Sequence, residues 1–434
     1  MKIKIEKIIF PGVGLGRDEN GRPIFVPKTV PGDEVEVKLL KNKKSFAEGV
    51  IDEIIKPSNI RIEPKCPHFE DCGGCGHQNI NYDNQLKIKE KVFQEVLDRA
   101  KIDIEAETIL PGSNHPLYYR NSMRFFFLLD NNKNISFARH HYYKNELVPI
   151  DECFLQSETS NKILNELKSY INDNVLYKSS FWQIKIREGK ITGEIMVELI
   201  TTNEELPNRE GIVEVLKKID EVKSIYHTIA PNKSLKSLKR KLIFGSPIIY
   251  EKIGKFKFQI SPESFFQTNS YGAKTLYEII KKYAKVEAGD TILDLFCGTG
   301  TIGIYLSTLA KEVAGIDVVL NAVNDARDNA KLNHVQNCNF YTLDLRDRIN
   351  LNKYESNVVI VDPPRAGITK ELVSEISKQK FKRLIYASCN PATFARDINE
   401  FKKHEIILEK VQPIDNFPQT HHIECVGLLS KQSK

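Results

Sequence analysis

The sequence predicts a multi-domain chain: a small OB-like β-barrel at the N-terminus, a central α+β domain, and a C-terminal α/β doubly wound domain of Rossmann-like type. Three observations carry this expectation. Over the first 56 residues, apolar and polar residues alternate in short runs broken by glycine and proline, as in small strands joined by tight turns. From about residue 256, apolar strands alternate with helical stretches, the mark of a parallel sheet with crossover helices. One of those strands runs into "DLFCGTGTIG", a glycine loop that opens a helix. The expected boundaries are 1–58, 59–255 and 256–434.

A chain of 434 residues can bury a sizeable core in several domains. Its 28% charged residues and net charge of +6 lean toward a polyanionic partner without proving one. The opening "MKIKIEKIIFPGVGLGRDENG" lacks the apolar stretch of a signal peptide, and no apolar run reaches the roughly 18 residues of a membrane span. Eight cysteines without an export signal read as reduced thiols with metal or catalytic uses, so the expected compartment is the cytoplasm.

In the barrel, "KIKIEKIIF", "RPIFVP" and "DEVEVKLL" have strand periodicity, and "PGVGLG" and "VPGD" mark turns. The basic run "KLLKNKKSF", Lys38 to Phe46, is either a solvated edge loop or a contact that tracks phosphates. Next, "CPHFEDCGGCGHQ" places Cys66, Cys72 and Cys75 within ten residues. Thiolate-held metals usually take four ligands, so a metal here needs a distant fourth. A helix is expected over Asn84 to Ala100, with Leu86, Val92 and Leu97 as its apolar face. From about 116 to 255, strand-rich pieces such as "YRNSMRFFFLLD" and "FWQIKIREGKITGEIMVELI" surround a helix near "SNKILNELKSYI". The C-terminal strands are "DTILDLF", "EVAGID", "CNFYTLD", "NVVIVD", "RLIYASC", "IILEKVQP" and "HHIECVGLLS".

The glycine loop alone admits two cofactors. Gly298, Gly300 and Gly303 have the G-x-G-x-x-G spacing, and Asp317 ends the next strand nineteen residues past Gly298, which satisfies the dinucleotide fingerprint of a nicotinamide oxidoreductase. An S-adenosylmethionine site uses the same loop and the same ribose-binding acid, and favours a further acid at the end of the first strand, here Asp294. A purely structural role for either acid is the alternative. The later strand ends decide between the two cofactors, because "VDPPR" and "ASCNP" end the fourth and fifth strands, where a dehydrogenase has no use for them. In "DPPR", Asp362 to Arg365, two prolines stiffen the backbone and fix where the acid points. Methyltransferases of adenine amino groups carry a similar Asp-Pro-Pro followed by a stacking aromatic, but Arg365 stands in that place.

Cys389, in "YASCNPATFARD", sits where a strand gives way to a helix, and backbone amides there can favour thiolate. The competing role is a buried core cysteine. Glu424, in "QTHHIECVGLL", is a carboxylate in a strand-like segment, where a salt-bridge partner is the competing role.

Taken in order, "FFQTN", "DLFCGTG", "DPPR", "SCNP" and "HHIEC" resemble the RNA uracil-C5 methyltransferases, over roughly the final 180 residues. The N-terminal barrel resembles the TRAM domain that many of these enzymes carry. The resemblance implies Cys389 as nucleophile and Glu424 as base, with Gln267, Phe296, Thr301, Asp317 and Asp362 as S-adenosylmethionine contacts. Family members often have Glu where this chain has Asp317. The implied reaction is methylation of carbon 5 of specific uridines through a covalent bond from Cys389 to carbon 6, with the target base flipped out of the RNA.

Ribosomal members of the family hold a [4Fe-4S] cluster with three clustered cysteines and one distant one. The resemblance thus implies Cys66, Cys72, Cys75 and, as distant ligand, Cys153 in "IDECFLQS", with zinc as the alternative metal. Cys297, Cys338, Cys389 and Cys425 have other places in the C-terminal domain. Barrel and cluster together point to 23S rRNA as the partner, with tRNA T-loop uridine as the alternative target. Neither DNA nor a membrane is expected as a partner, and the chain is expected to act as a monomer.

Overall fold

The computed structural model of the protein describes residues 1–235, 238–346 and 350–432. In chain order the elements begin with β1 (Lys2–Ile9), β2 (Val13–Arg17), β3 (Pro23–Val26), β4 (Glu34–Asn42), β5 (Ala47–Lys56), α1 (Tyr82–Arg99) and β6 (Leu110–Pro111). There follow β7 (Ser122–Leu129), β8 (Ile135–His140), β9 (Leu147–Ile150), α2 (Glu158–Asn174), β10 (Phe181–Glu188), β11 (Ile195–Thr201), α3 (Arg209–Leu216), β12 (Val222–Ile229) and β13 (Lys239–Gly245). Then come β14 (Ile249–Ile253), β15 (Phe256–Ile260), α4 (Ser270–Ala284), β16 (Thr291–Leu295), α5 (Thr301–Leu306), β17 (Glu312–Asp317), α6 (Leu320–Leu332) and β18 (Cys338–Thr342). The last are β19 (Val358–Val361), α7 (Lys370–Lys378), β20 (Arg383–Ser388), α8 (Pro391–Lys402), β21 (Ile406–Asp415) and β22 (Glu424–Lys431). No described helix is long and apolar enough to cross a membrane.

The chain divides into two compact units, one of Met1–Pro116, Glu278–Lys285 and Arg348–Lys434, the other of Leu117–Tyr277 and Val286–Asp347. In the first, β1 to β5 close into a barrel in the order β1-β2-β3-β5-β4. Ile3 and Ile5 on β1 and Val35 and Val37 on β4 alternate into its core with Ile24, Val26 and Ala47, as the period-two pattern requires. At the basic turn, Lys41 and Lys43 hold their ammonium groups 5.3 and 5.5 Å from the Phe46 ring centre. Past β3, Lys28 adopts a left-handed φ of +59°. It sends its buried amine into the cysteine loop, where the carbonyls of Phe69, Glu70 (3.1 Å) and Cys72 (3.0 Å) accept from it.

Helix α1 starts at Asn81, whose side chain accepts from the Asn84 amide at 3.0 Å. Val92 and Leu97 are buried as the sequence predicts, but Gln85 and Lys89 are buried where Leu86 is only half-buried. Partners far along the chain explain this: Lys89 Nζ donates to Asp415 at 2.6 Å, and Gln85 Nε2 to Gln419 at 2.9 Å. A buried charge is tolerated only when paired in this way. The same unit carries strands in the order β19-β20-β22-β21-β6, in which β19 and β20 pair parallel, β22 pairs antiparallel with both β20 and β21, and β21 and β6 pair parallel. All four residues of β19, "VVIV", are buried, the continuous apolar run of a strand covered on both faces.

In the second unit, a seven-stranded sheet runs β13-β12-β11-β10-β7-β8-β9. Phe125 on β7, Ile184 and Ile186 on β10, and Val197 and Leu199 on β11 pack with Ile163, Leu167 and Ile212 of α2 and α3 into one core. The unit also holds the parallel strands β18-β17-β16.

Candidate active site

The second unit builds the glycine loop. Strand β16 ends by placing Asp294, fully buried, where its Oδ2 accepts from the Gly303 amide at 3.0 Å. Phe296, Gly298 and Gly300 take left-handed φ values of 62°, 53° and 75°. For Phe296 that conformation costs about 1 to 3 kcal/mol, a strain that clusters at functional loops. Gly300 is also spatially constrained: a Cβ would come within 2.7 Å of the Phe340 ring and 2.9 Å of Ala326. A Cβ at Gly298 would meet nothing within 4 Å, so the backbone there faces open space.

Asp317 closes β17, and two backbone amides pin its carboxylate: Gly298 N donates to Oδ2 at 3.0 Å and Val319 N to Oδ1 at 2.8 Å. The short acid is thus held rigidly at the loop mouth. Val318, Val319 and Leu320 follow it at 48%, 53% and 57% exposure, an open apolar shelf beside Asp317 on which a flat ring can lie. Thr301, the first residue of α5, shares a 2.7 Å hydrogen bond with the Tyr277 hydroxyl. The Gln267 segment is held at its backbone, because Asn121 Nδ2 donates to the Gln267 carbonyl at 2.8 Å and Asn121 N to the Thr268 carbonyl at 2.9 Å.

The first unit gathers the other predicted groups at strand ends. Strands β20 and β22 pair with Ser388 opposite Cys425, so the next register position sets Cys389 opposite Glu424. Asp362 is the first residue past β19, the parallel neighbour of β20. After Cys389, Asn390 caps α8 by accepting from Ala392 N at 3.1 Å, and Pro391 opens the helix. Asn390 Nδ2 and Thr393 Oγ1 also donate to the Arg365 carbonyl, at 3.0 and 3.2 Å, which ties the "DPPR" turn to this helix. Further along the turn, Asp397 accepts from Ile368 N at 3.0 Å and from the Tyr386 hydroxyl at 2.6 Å.

These groups feel one another. Glu424 is buried, and burial followed by the charge of Asp362 holds its carboxyl well above the usual carboxylate range, with an Asn416 hydrogen bond opposing. Burial raises Asp362 as well. The half-buried Cys389 thiol is pushed up to about 11 by burial and by the charges of Glu424 and Asp362. Arg365 opposes that rise through its charge and a hydrogen bond to the thiol. Its guanidinium also lies 3.1 Å from both ring nitrogens of His422.

The sequence profile of the tRNA (uracil-5-)-methyltransferases matches residues 81–432, and that of the TRAM domain matches residues 1–51. The chain belongs to the tRNA/RNA uracil-5-methyltransferase family. The methyltransferase is 35% identical over 444 residues to an uncharacterized RNA methyltransferase of Halalkalibacterium halodurans, covering 99% of this chain and 96% of that protein. It is 36% identical over 450 residues to an uncharacterized RNA methyltransferase of Fusobacterium nucleatum, covering 100% and 96%. Among solved structures, it matches the Pyrococcus abyssi tRNA (uracil-54, C5)-methyltransferase in complex with S-adenosyl-L-homocysteine, with a TM-score of 0.80, 30% identity and 99% coverage of both chains. A nicotinamide oxidoreductase, the other use of the glycine loop, does not fit this membership.

Within the methyltransferase, Arg365 is the residue that sequence reasoning left without a task. Its place directly after the two prolines was the available signal, because a turn that fixes Asp362 also fixes its neighbour. Asn416 and the Val318–Leu320 shelf carried no motif at all.

Of the expected cluster ligands, Cys66, Cys72 and Cys75 lie in the first unit and Cys153 in the second. Among the loop sulfurs, Cys72 accepts from Gly74 N at 3.4 Å and Cys75 from Gln78 Nε2 at 3.3 Å. Cys153 is held by Asn161, which accepts from its amide at 2.9 Å and donates to its carbonyl at 3.1 Å. Among the described residues, no group of three or more His, Cys, Asp or Glu is placed to hold a metal ion.

Proposed function

We propose that this methyltransferase transfers the methyl group of S-adenosylmethionine to carbon 5 of a uridine in RNA, through a covalent bond between Cys389 and carbon 6. The observation that carries this reading is the convergence of Cys389, Glu424 and Asp362 at three strand ends, with Arg365 on the thiol. Carbon 5 of uracil is a poor nucleophile until a thiolate adds to carbon 6 and makes it an enolate. Arg365 supports the thiolate form of Cys389 with a cation and a hydrogen bond. Glu424 takes the carbon 5 proton, after which the carbon–sulfur bond breaks and frees Cys389. Its raised pKa makes its carboxylate a strong base once formed. S-adenosylmethionine supplies an electrophilic methyl group, and Gln267, Phe296, Thr301, Asp317 and Asp362 are the residues proposed to hold it. The P. abyssi enzyme's complex with S-adenosyl-L-homocysteine supports this choice of cofactor.

The proposed target is 23S rRNA. The TRAM barrel's basic turn, with Lys41 and Lys43 around Phe46, adds phosphate contacts that suit a large folded RNA and fix register without reading sequence. A tRNA T-loop uridine is the second reading, favoured by the similarity to the P. abyssi tRNA enzyme. Mass mapping of 5-methyluridine in cells lacking the protein separates them. Loss from 23S rRNA alone supports the first reading, loss from the tRNA T-loop alone supports the second, and loss from neither refutes both.

We also propose a [4Fe-4S] cluster held by Cys66, Cys72, Cys75 and Cys153. The donor set fits thiolate-bound iron, and N–H groups directed at two of the sulfurs are what such sulfurs accept. Anaerobically purified protein should be brown and contain about four irons. Stoichiometric zinc in colourless protein rejects the cluster, and an intact cluster in Cys153→Ala rejects the fourth ligand.

A further inference from the structure

The face of the seven-stranded sheet turned away from α2 and α3 carries Arg124 on β7, Lys185 and Arg187 on β10, and Arg240 on β13. Glu198 on β11 is buried among them, accepting from Arg240 Nε at 2.9 Å and Thr228 Oγ1 at 2.7 Å, with Lys185 Nζ 3.7 Å away. Arg240 reaches Glu263 at 2.6 Å with its other arm, and Arg187 donates to the Ser261 carbonyl at 2.6 Å and faces Asp325. Arg124 feels the charge of Glu198, which opposes its burial and the repulsion of Arg240, but does not touch it. It makes no ion pair among the described residues, and its buried Nε has no hydrogen-bond partner among them.

Arg124 and Lys185 are also directly opposite each other in the β7–β10 register. Like charges in that position destabilise a sheet, and Glu198 is a single carboxylate acting on Arg124, Lys185 and Arg240 together. Burial, with Arg187, Arg124 and Arg240 nearby, pushes the Lys185 amine down to about 7, against the pull of Glu198. Yet Lys185 still shows 15% of its side chain to solvent, so an anion can reach it from outside. Lys185 also donates to the Pro262 carbonyl at 2.9 Å. Three residues further on, Phe265 is 66% exposed, a ring on which an unpaired base can stack.

We propose that this sheet face binds a backbone phosphate of the RNA substrate, with Arg124 and Lys185 supplying the counter-charges. The inference rests on the RNA reading of the active site and adds a contact made by residues outside the proposed catalytic and cofactor groups. The test compares the full-length protein with Arg124→Gln and Lys185→Gln, titrated across a salt series with transcripts of 23S rRNA and of tRNA. Each variant should bind the substrate transcript about tenfold more weakly, the size of one charge-assisted hydrogen bond. Each should also flatten the salt dependence by about 0.7 to 0.9 in the log–log slope. Affinity for S-adenosylmethionine should not change, and Lys185→Arg should restore RNA binding. Acylation of Lys185 in the unsubstituted protein, which the transcript should suppress, tests the same contact without a variant. Unchanged affinity and slope, or acylation that RNA does not suppress, overturns this inference alone. Failure of the unsubstituted protein to bind either transcript overturns it together with the RNA reading.

Discussion

Cys389 should resist alkylation in the resting enzyme, and Arg365 should set how strongly. The thiol stands at about 11 instead of 9.0, raised by burial, Glu424 and Asp362 and opposed by Arg365. Two pH units make its thiolate ~100-fold scarcer near neutrality than that of an ordinary thiol. Iodoacetamide labelling followed at the Cys389 peptide should therefore rise about tenfold per pH unit from neutrality until the thiol titrates. Burial also slows access, so the slope and its midpoint carry the argument and the absolute rate does not. Arg365→Met removes the opposing cation and a hydrogen bond to an ionised group, worth ~1.5 to 3 kcal/mol. Labelling at neutral pH should slow by about ten- to hundredfold, with the midpoint moved upward. Asp362→Asn should shift it the other way. A midpoint below 9 in the parent, or faster labelling in Arg365→Met, would refute the account of the site's electrostatics.

Asp317→Ala should weaken S-adenosylmethionine binding by ~1 to 3 kcal/mol in calorimetry, and tight NADH binding by the parent would contradict the cofactor assignment. Glu424→Gln should leave methylated RNA covalently attached to protein, seen as a shifted band on a denaturing gel, whereas Cys389→Ala should give neither adduct nor product. The same Glu424→Gln change should alter stability with a definite sign. A carboxyl raised above 4.5 in the folded state contributes stability that is present below that pH and lost as pH rises through the folded value. Calorimetric melting should thus favour the Gln variant increasingly from acid to neutral pH, and a constant difference would exclude the raised pKa. Lys89→Met should destabilise the protein by ~3 to 5 kcal/mol in urea unfolding by leaving Asp415 buried and unpaired, and a paired Asp415→Leu should recover much of that loss.

The C-terminal strands were legible because strands covered on both faces read as apolar runs, as "VVIV" does, and because the residues just past them are exempt from that demand. Cys389 and Asp362 could be singled out on those grounds. Their meeting with Glu424 could not, since it depends on β20 and β22 pairing with Ser388 opposite Cys425. Helix α1 shows the opposite failure. Gln85 and Lys89 read as a polar face until Gln419 and Asp415, more than three hundred residues on, supply their partners. The cation group on the seven-stranded sheet was hidden for a similar reason, because alternation along one strand does not reveal which charge stands beside which.

The seat of Lys28 in the cysteine loop bears on how this architecture can change over evolution. One barrel amine collects three carbonyls of that loop, and the Lys28 carbonyl in turn accepts from Asn79 at 2.7 Å. A gene that lost its barrel would leave those carbonyls without their donor and the loop without its anchor. A gene that lost its cysteine loop would strand a buried ammonium at the barrel's end. Barrel and loop are therefore expected to be inherited or discarded as a pair, and a barrel grafted onto a relative that lacks the loop should need its Lys28 replaced before it packs.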